Sequence, residues 1–160
     1  MPVACGARNI LALDLGTNCG FALSKGGVLT YGTKNFAPKR TDGPGQRWLK
    51  FRAMLANHFN SAGELHAIYY EDVKNHAGIL AAHAFGAFES HLQVFCDVNR
   101  VRLESVGVGQ IKKNWCGRGN AKKEEMIAEA KRRGFKVPAD ADDTADALAI
   151  LDLAMKKETA

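Results

Sequence analysis

Four carboxylates in this sequence close or open apolar runs instead of lying among other polar residues. Asp14 ends the run Ile10-Leu11-Ala12-Leu13, Glu71 ends Ile68-Tyr69-Tyr70, and Asp143 and Asp146 open the apolar stretch that runs on to Ile150. Singly, each has an ordinary account: Asp14 as a turn former ahead of Leu15-Gly16, Asp143 as a helix N-cap. Jointly they point to chemistry. Residues three apart share a helix face, so Asp143 and Asp146 can point the same way. Carboxylates gathered inside a fold are costly without a cation, so if the four converge they should bind metal. A donor set made only of oxygen selects Mg²⁺ or Mn²⁺ over zinc.

The charge distribution fits the same chemistry. The 160 residues carry 22 Lys and Arg against 17 Asp and Glu, a net charge of +5. Residues 112–136 hold nine basic side chains (Lys112, Lys113, Arg118, Lys122, Lys123, Lys131, Arg132, Arg133, Lys136) against Glu124, Glu125 and Glu129. Residues 34–52 hold six against Asp42 alone, whereas residues 140–152 hold five aspartates and no base. Either basic stretch by itself is also what a solvated helix face looks like. Next to a concentrated acidic pocket, they describe a nuclease, with cations to hold phosphates and carboxylates to hold metal.

Other chemistries find less support. Cys5, Cys19, Cys96 and Cys116 form no CxxC pair and have no histidine at zinc-ligand spacing, so free buried thiols in a reducing compartment are expected. His76, His83 and His91 fall seven and eight residues apart, two helical turns and too far to chelate one ion, and belong at a surface or interface. His58 and His66 carry no signal. Gly107-Val108-Gly109 and Gly117-Arg118-Gly119 lack the rest of a dinucleotide fingerprint, and are read as backbone flexibility near DNA. No run of 18 apolar residues offers a membrane span, and Gly6, Arg8 and Asn9 interrupt any signal-peptide core. A soluble, unexported protein is expected, made as one domain over residues 1–160.

The elements that must position the acids follow from periodicity. Residues 9–14, 19–25 and 28–34 read as three consecutive antiparallel strands, the last two joined by Gly26-Gly27. Residues 35–46, with Pro38, Gly43, Pro44 and Gly45, form a loop. Trp48, Phe51, Leu55 and Phe59 mark an amphipathic helix ending near Ala62-Gly63, followed by a buried strand over 66–71. Phe85, Phe88, Leu92 and Phe95 stripe a second helix over 79–98, and residues 102–106 make another strand. A helical turn is expected around 111–115, then a helix capped by Asn120 and stopped at Gly134. The last helix, over 142–157, has acids at its positive end and lysines at its negative end. This order predicts an α/β fold: a mixed five-stranded sheet with helices on both faces, and Asp14 and Glu71 on adjacent central strands.

Three segments together resemble the RuvC-type Holliday-junction resolvases of the RNase H-like superfamily. They are Ile10-Leu11-Ala12-Leu13-Asp14-Leu15-Gly16-Thr17-Asn18-Cys19-Gly20, Ile68-Tyr69-Tyr70-Glu71, and Asp142-Asp143-Thr144-Ala145-Asp146-Ala147-Leu148-Ala149-Ile150, the most specific of the three. The segment from Gln110 to Lys123 resembles the family's basic phosphate-binding stretch. The resemblance spans residues 10–153 and implies an RNase H-like fold. It makes Asp14, Glu71, Asp143 and Asp146 the catalytic metal ligands for two Mg²⁺ ions roughly 4 Å apart, with Mn²⁺ as a substitute. By the same resemblance Lys112 and Lys123 contact DNA phosphates, with Lys113, Arg118 and Lys122 in the same basic stretch. The second helix, around Gly86, would form a homodimer. The implied activity is a crossover-junction endodeoxyribonuclease acting on branched DNA in the cytoplasm of a bacterial cell or a phage-infected host. The chain departs from the family at Leu15, where proline is usual, and at Lys74-Asn75-His76, where an apolar or aromatic wedge is expected. That departure predicts that forks and flaps are accepted beside four-way junctions.

Three other readings compete. YqgF-like RNA-processing nucleases open with a similar Asp-Leu-Gly-Thr strand but lack the paired-aspartate last helix. Actin and Hsp70-like ATPases need two such domains around a nucleotide, and 160 residues are too few. A non-catalytic DNA-binding module would have no reason to keep all four acids.

Overall fold

The computed structural model describes residues 8–160; Cys5 and the rest of residues 1–7 lie outside the described residues. Five strands form one sheet in the order β3-β2-β1-β4-β5. β1 (Ile10–Asp14), β2 (Asn18–Lys25) and β3 (Val28–Asn35) run antiparallel, while β4 (Ala67–Asp72) pairs parallel to β1 and β5 (Arg102–Gly107) parallel to β4. Gly26 and Gly27 turn between β2 and β3 with φ of 55° and 82°, the left-handed pair that a two-residue hairpin demands. The parallel pairs need crossovers, supplied by α1 (Gln46–Ala62) and α2 (Ile79–Asn99).

β1 is apolar on both faces because it lies mid-sheet with helices above and below. Leu11 and Leu13 join the core under α1 and α2, with Phe36, Phe51, Leu55, Phe88 and Leu92. Ile10 and Ala12 join the opposite core, under α3 (Val108–Cys116), α4 (Lys123–Arg132) and α5 (Asp142–Thr159), with Trp115, Met126, Leu148 and Ile150. The expected mixed sheet with helices on both faces is therefore found.

Local details differ from expectation at four places. The turn expected around 111–115 is a nine-residue helix starting at Val108. Only Ile111 and Trp115 of it are fully buried, and these alone left a periodic signal. Asn120 is not the cap of α4. Lys122 occupies that position, and its backbone N–H donates to Glu125 Oε2 at 2.6 Å, so the acid at the third helical position supplies the cap. α4 ends at Arg132, and Gly134, at φ 92°, prevents its extension. His76 precedes α2 instead of lying on it, 5.0 Å from the Phe85 ring, and His91 stacks 5.8 Å from Trp48. Cys19 and Cys96 are buried free thiols, but Cys116 is only half-buried. Among the described residues no helix is long and apolar enough to cross a membrane.

Candidate active site

The period of two along a strand decides where the first two acids point. Ile10 and Ala12 face α5, so Asp14 does as well; Ala67 and Tyr69 face the same side, so Glu71 follows. β1 and β4 run parallel with Leu13 beside Tyr70, and the next step of that register sets Asp14 beside Glu71. Asp143 and Asp146 lie in the first two turns of α5, which crosses this face. The four predicted acids thus come together at one end of the sheet, each half-buried and none sealed from solvent.

Two contacts bring α5 this close. Gly20 pairs with Asp14 in the β1–β2 ladder, and a Cβ added to it would stand 1.9 Å from the Asp143 carbonyl oxygen. Only glycine lets the first turn of α5 press onto β2 there. Thr144 Oγ1 then meets Thr33 Oγ1 at 2.7 Å, fixing the same turn to β3. Sequence reasoning assigned no part to Gly20; a glycine inside an otherwise continuous strand was the available signal.

The electrostatics are those of an uncompensated acidic cluster. Burial, then the charges of Asp146, Glu71 and Asp143, push the Asp14 carboxyl well above the usual range. Burial and Glu71, reinforced by Asp142 and Asp143, push Asp146 up to about 7. Asp143 is raised by burial and by Asp142, and Glu71 by burial. Lys112 opposes the shift at both Glu71 and Asp146. It lines a recess of about 110 Å³ with them, floored by Ile111 and Ile150.

The other predicted cations are spread along the rim. Lys123 Nζ is 3.0 Å from Asp142 Oδ2, joining the starts of α4 and α5, and Arg118 pairs with Glu125. Lys113 and Lys122 are exposed. On the other side of Glu71, residues 72–75 and Gly107, Val108 and Gly109 line a cavity of about 410 Å³, with Lys74 on its wall. Leu15, which follows Asp14, is buried in the α1–α2 core.

Four carboxylates with surplus negative charge, flanked by Lys112, fit a hard divalent cation. Among the described residues no three His, Cys, Asp or Glu side chains already close around a point, so a cation would have to draw the carboxylates together.

No protein-family model and no curated protein matches the sequence. Solved structures do. RuvC from Thermus thermophilus, in complex with a Holliday-junction substrate, superposes with a TM-score of 0.77 at 21% identity, over 95% of this chain and 96% of that one. The chain has the RuvC fold. A second Thermus thermophilus RuvC structure gives a TM-score of 0.72 at 21% identity, with the same coverage. The yeast mitochondrial Holliday junction resolvase Ydc2 gives 0.67 at 16% identity, over 96% of this chain and 80% of that one. The RuvC fold therefore spans nearly the whole chain, as a mixed five-stranded sheet flanked by five helices.

Proposed function

We propose that this protein is a divalent-metal-dependent endonuclease that cleaves four-way DNA junctions and related branched DNA. The observation that carries the reading is the convergence of Asp14, Glu71, Asp143 and Asp146 on one face, beside Lys112, in a chain with the RuvC fold. The four carboxylates would hold two Mg²⁺ ions, or Mn²⁺ in their place. Bound there, such ions supply Lewis-acid activation of a water and of the scissile phosphate. Lys112 is placed to offset charge building on that phosphate. Lys123 ties α4 to Asp142 and, with Lys113, Arg118 and Lys122, presents a cationic rim to the flanking backbone.

A homodimer would form through α2. Ile79, Leu80, Val94 and Val98 are 56–85% exposed along that helix, and an added Cβ at Gly86 would meet nothing within 4 Å, so a partner helix can approach closely. Lys74 is exposed in the position of a wedge, and His76 is packed against Phe85. Neither is an aromatic side chain free to stack between bases. Forks and flaps should accordingly be cut as well as junctions.

The test is cleavage of synthetic four-way junctions, forks, flaps, linear duplex and single-stranded RNA, with Mg²⁺ and with chelator. Branched DNA should be nicked only with metal. Cleavage of RNA in preference to DNA, or undiminished cutting in chelator, would overturn the reading.

A further inference from the structure

Residues 34–52 hold six basic side chains and one acid, Asp42. That acid is already engaged: its Oδ2 accepts from the Lys39 backbone N–H at 2.9 Å and lies 3.4 Å from Lys50 Nζ. Arg47, in the first turn of α1, makes no ion pair among the described residues. Its guanidinium is nevertheless held in place. Nη2 donates to Thr17 Oγ1 at 3.0 Å, and the guanidinium carbon stands 4.7 Å from the Trp48 ring centroid and 5.6 Å from that of Phe88. Nε is shielded from solvent and has no acceptor. A half-buried, fixed cation with an unpaired donor and no counter-charge is unfavourable in the free protein, and an arriving anion relieves it.

Its location identifies the anion. Thr17 lies in the turn between β1 and β2, three residues after Asp14, and its carbonyl accepts from the Phe36 N–H at 2.7 Å. Arg47 is thus tied to the turn that directly follows Asp14, a proposed metal ligand at the end of β1. Lys112 and Lys123 belong to other elements, α3 and α4, and Lys123 is paired with Asp142. The α1 N-terminus beside it has no acidic residue in its first turn and no side-chain cap.

We propose that Arg47, aimed by Thr17 and stacked on Trp48, is a second phosphate grip that binds the DNA backbone on the β1–β2 side of the active site. The proposal rests on the DNA-cleaving reading given above. Arginine suits the position because its planar fork can keep one N–H on Thr17 while others turn to a phosphate oxygen.

The experiment is four-way-junction binding by the full chain in Ca²⁺, measured between 50 and 300 mM KCl, for wild type, Arg47→Met, Arg47→Lys and Arg52→Met. Arg47→Met keeps apolar bulk against Trp48 and removes the charge. Its affinity should fall about tenfold, and the slope of log K against log salt should decrease in magnitude by about one for each protomer bound. Arg52, exposed on the same helix, removes the same charge elsewhere and should leave the slope within error. An unchanged slope for Arg47→Met, or an equal loss for Arg52→Met, would overturn the proposal. If Arg47→Met does not fold, Arg47→Lys decides: weaker binding with an unchanged slope supports the held fork, and wild-type affinity sinks it. If wild type itself binds no DNA, the nuclease reading fails, a result distinct from either Arg47 outcome.

Discussion

On the α1–α2 side of the sheet, Phe36, Phe51 and Phe88 meet with ring centroids 5.0–5.8 Å apart. On the other side, where α5 crosses β1 and β2, the core includes Ala12, Ala22, Ala145 and Ala149, all fully buried. Large rings hold a helix away from a sheet, whereas alanines, and finally Gly20, let the α5 backbone descend onto it. Asp has only one methylene between backbone and carboxyl. Asp143 and Asp146 reach the carboxylates of β1 and β4 because the helix that carries them has been brought in by small residues. The aromatic side contributes stability, and the alanine side gives up packing volume and charge compensation to create a site.

The sharpest way to break that comparison is to remove the charges while keeping their size. Asp14→Asn, Glu71→Gln, Asp143→Asn and Asp146→Asn should each slow cleavage by more than about a hundredfold, beyond the loss typical of a residue that only supports a metal ligand. DNA binding should persist. A variant cutting at near the wild-type rate would remove that residue from the ligand set.

Gly20→Ala and Leu55→Ala test the two faces against each other. The alanine methyl would collide with the Asp143 carbonyl, so the first turn of α5 must shift, costing roughly 1–3 kcal/mol and misplacing two carboxylates. Leu55→Ala empties a fully buried position on the other face and should cost roughly 2–5 kcal/mol. Denaturant melts and cleavage at 25 °C should separate them: Gly20→Ala loses more activity for less stability, and Leu55→Ala the reverse. Equal activity per folded molecule would show that the close approach of α5 does not position the site.

Much of this division was legible in the sequence, for reasons visible in particular residues. The strands show through short apolar runs, loose alternation in residues 19–25 and Gly26-Gly27, and the four acids stand out because each terminates or opens a buried element. α3 reads as only a turn because Gly109 and exposed Lys113 hide its length. Asn120 suggested a cap because the acid that actually supplies it, Glu125, acts from within the helix. Gly20 and Arg47 are legible only in part, as a glycine within a strand and one cation of a basic stretch: their neighbours, Asp143 and Thr17, are distant in sequence, and no local pattern encodes those contacts.

A smaller effect concerns Lys112, which lines a recess with Glu71 and Asp146. Lys112→Ala should slow cleavage about tenfold or more through lost transition-state charge stabilisation. It should also move the acid limb of the pH–rate profile upward, because the lysine holds both carboxyls down against burial. Slower cleavage with an unmoved limb would assign Lys112 to DNA contact alone.

The smallest effect is on stability, and it has a definite sign. Asp146 titrates at about 7 in the folded chain and, by its ordinary value, near 3.8 when unfolded. Below pH 4 both states carry the proton and no difference arises. Between pH 4 and 7 the unfolded chain releases its proton freely while the folded chain retains it, so metal-free stability falls across this window and levels off above it. Asp146→Asn abolishes that loss. In chelator it should melt higher than wild type at pH 8, by a few degrees for a gain on the order of 1 kcal/mol after solvent screening, and equally at pH 4. Mg²⁺ should reverse the ranking at pH 8, because a cation bound to the native carboxylates stabilises wild type by mass action and finds a poorer site in the variant. If Asp146→Asn is no more stable than wild type at pH 8 in chelator, the acids on the alanine side carry no uncompensated repulsion. If Mg²⁺ raises both melting points equally, Asp146 is not among the residues that hold it.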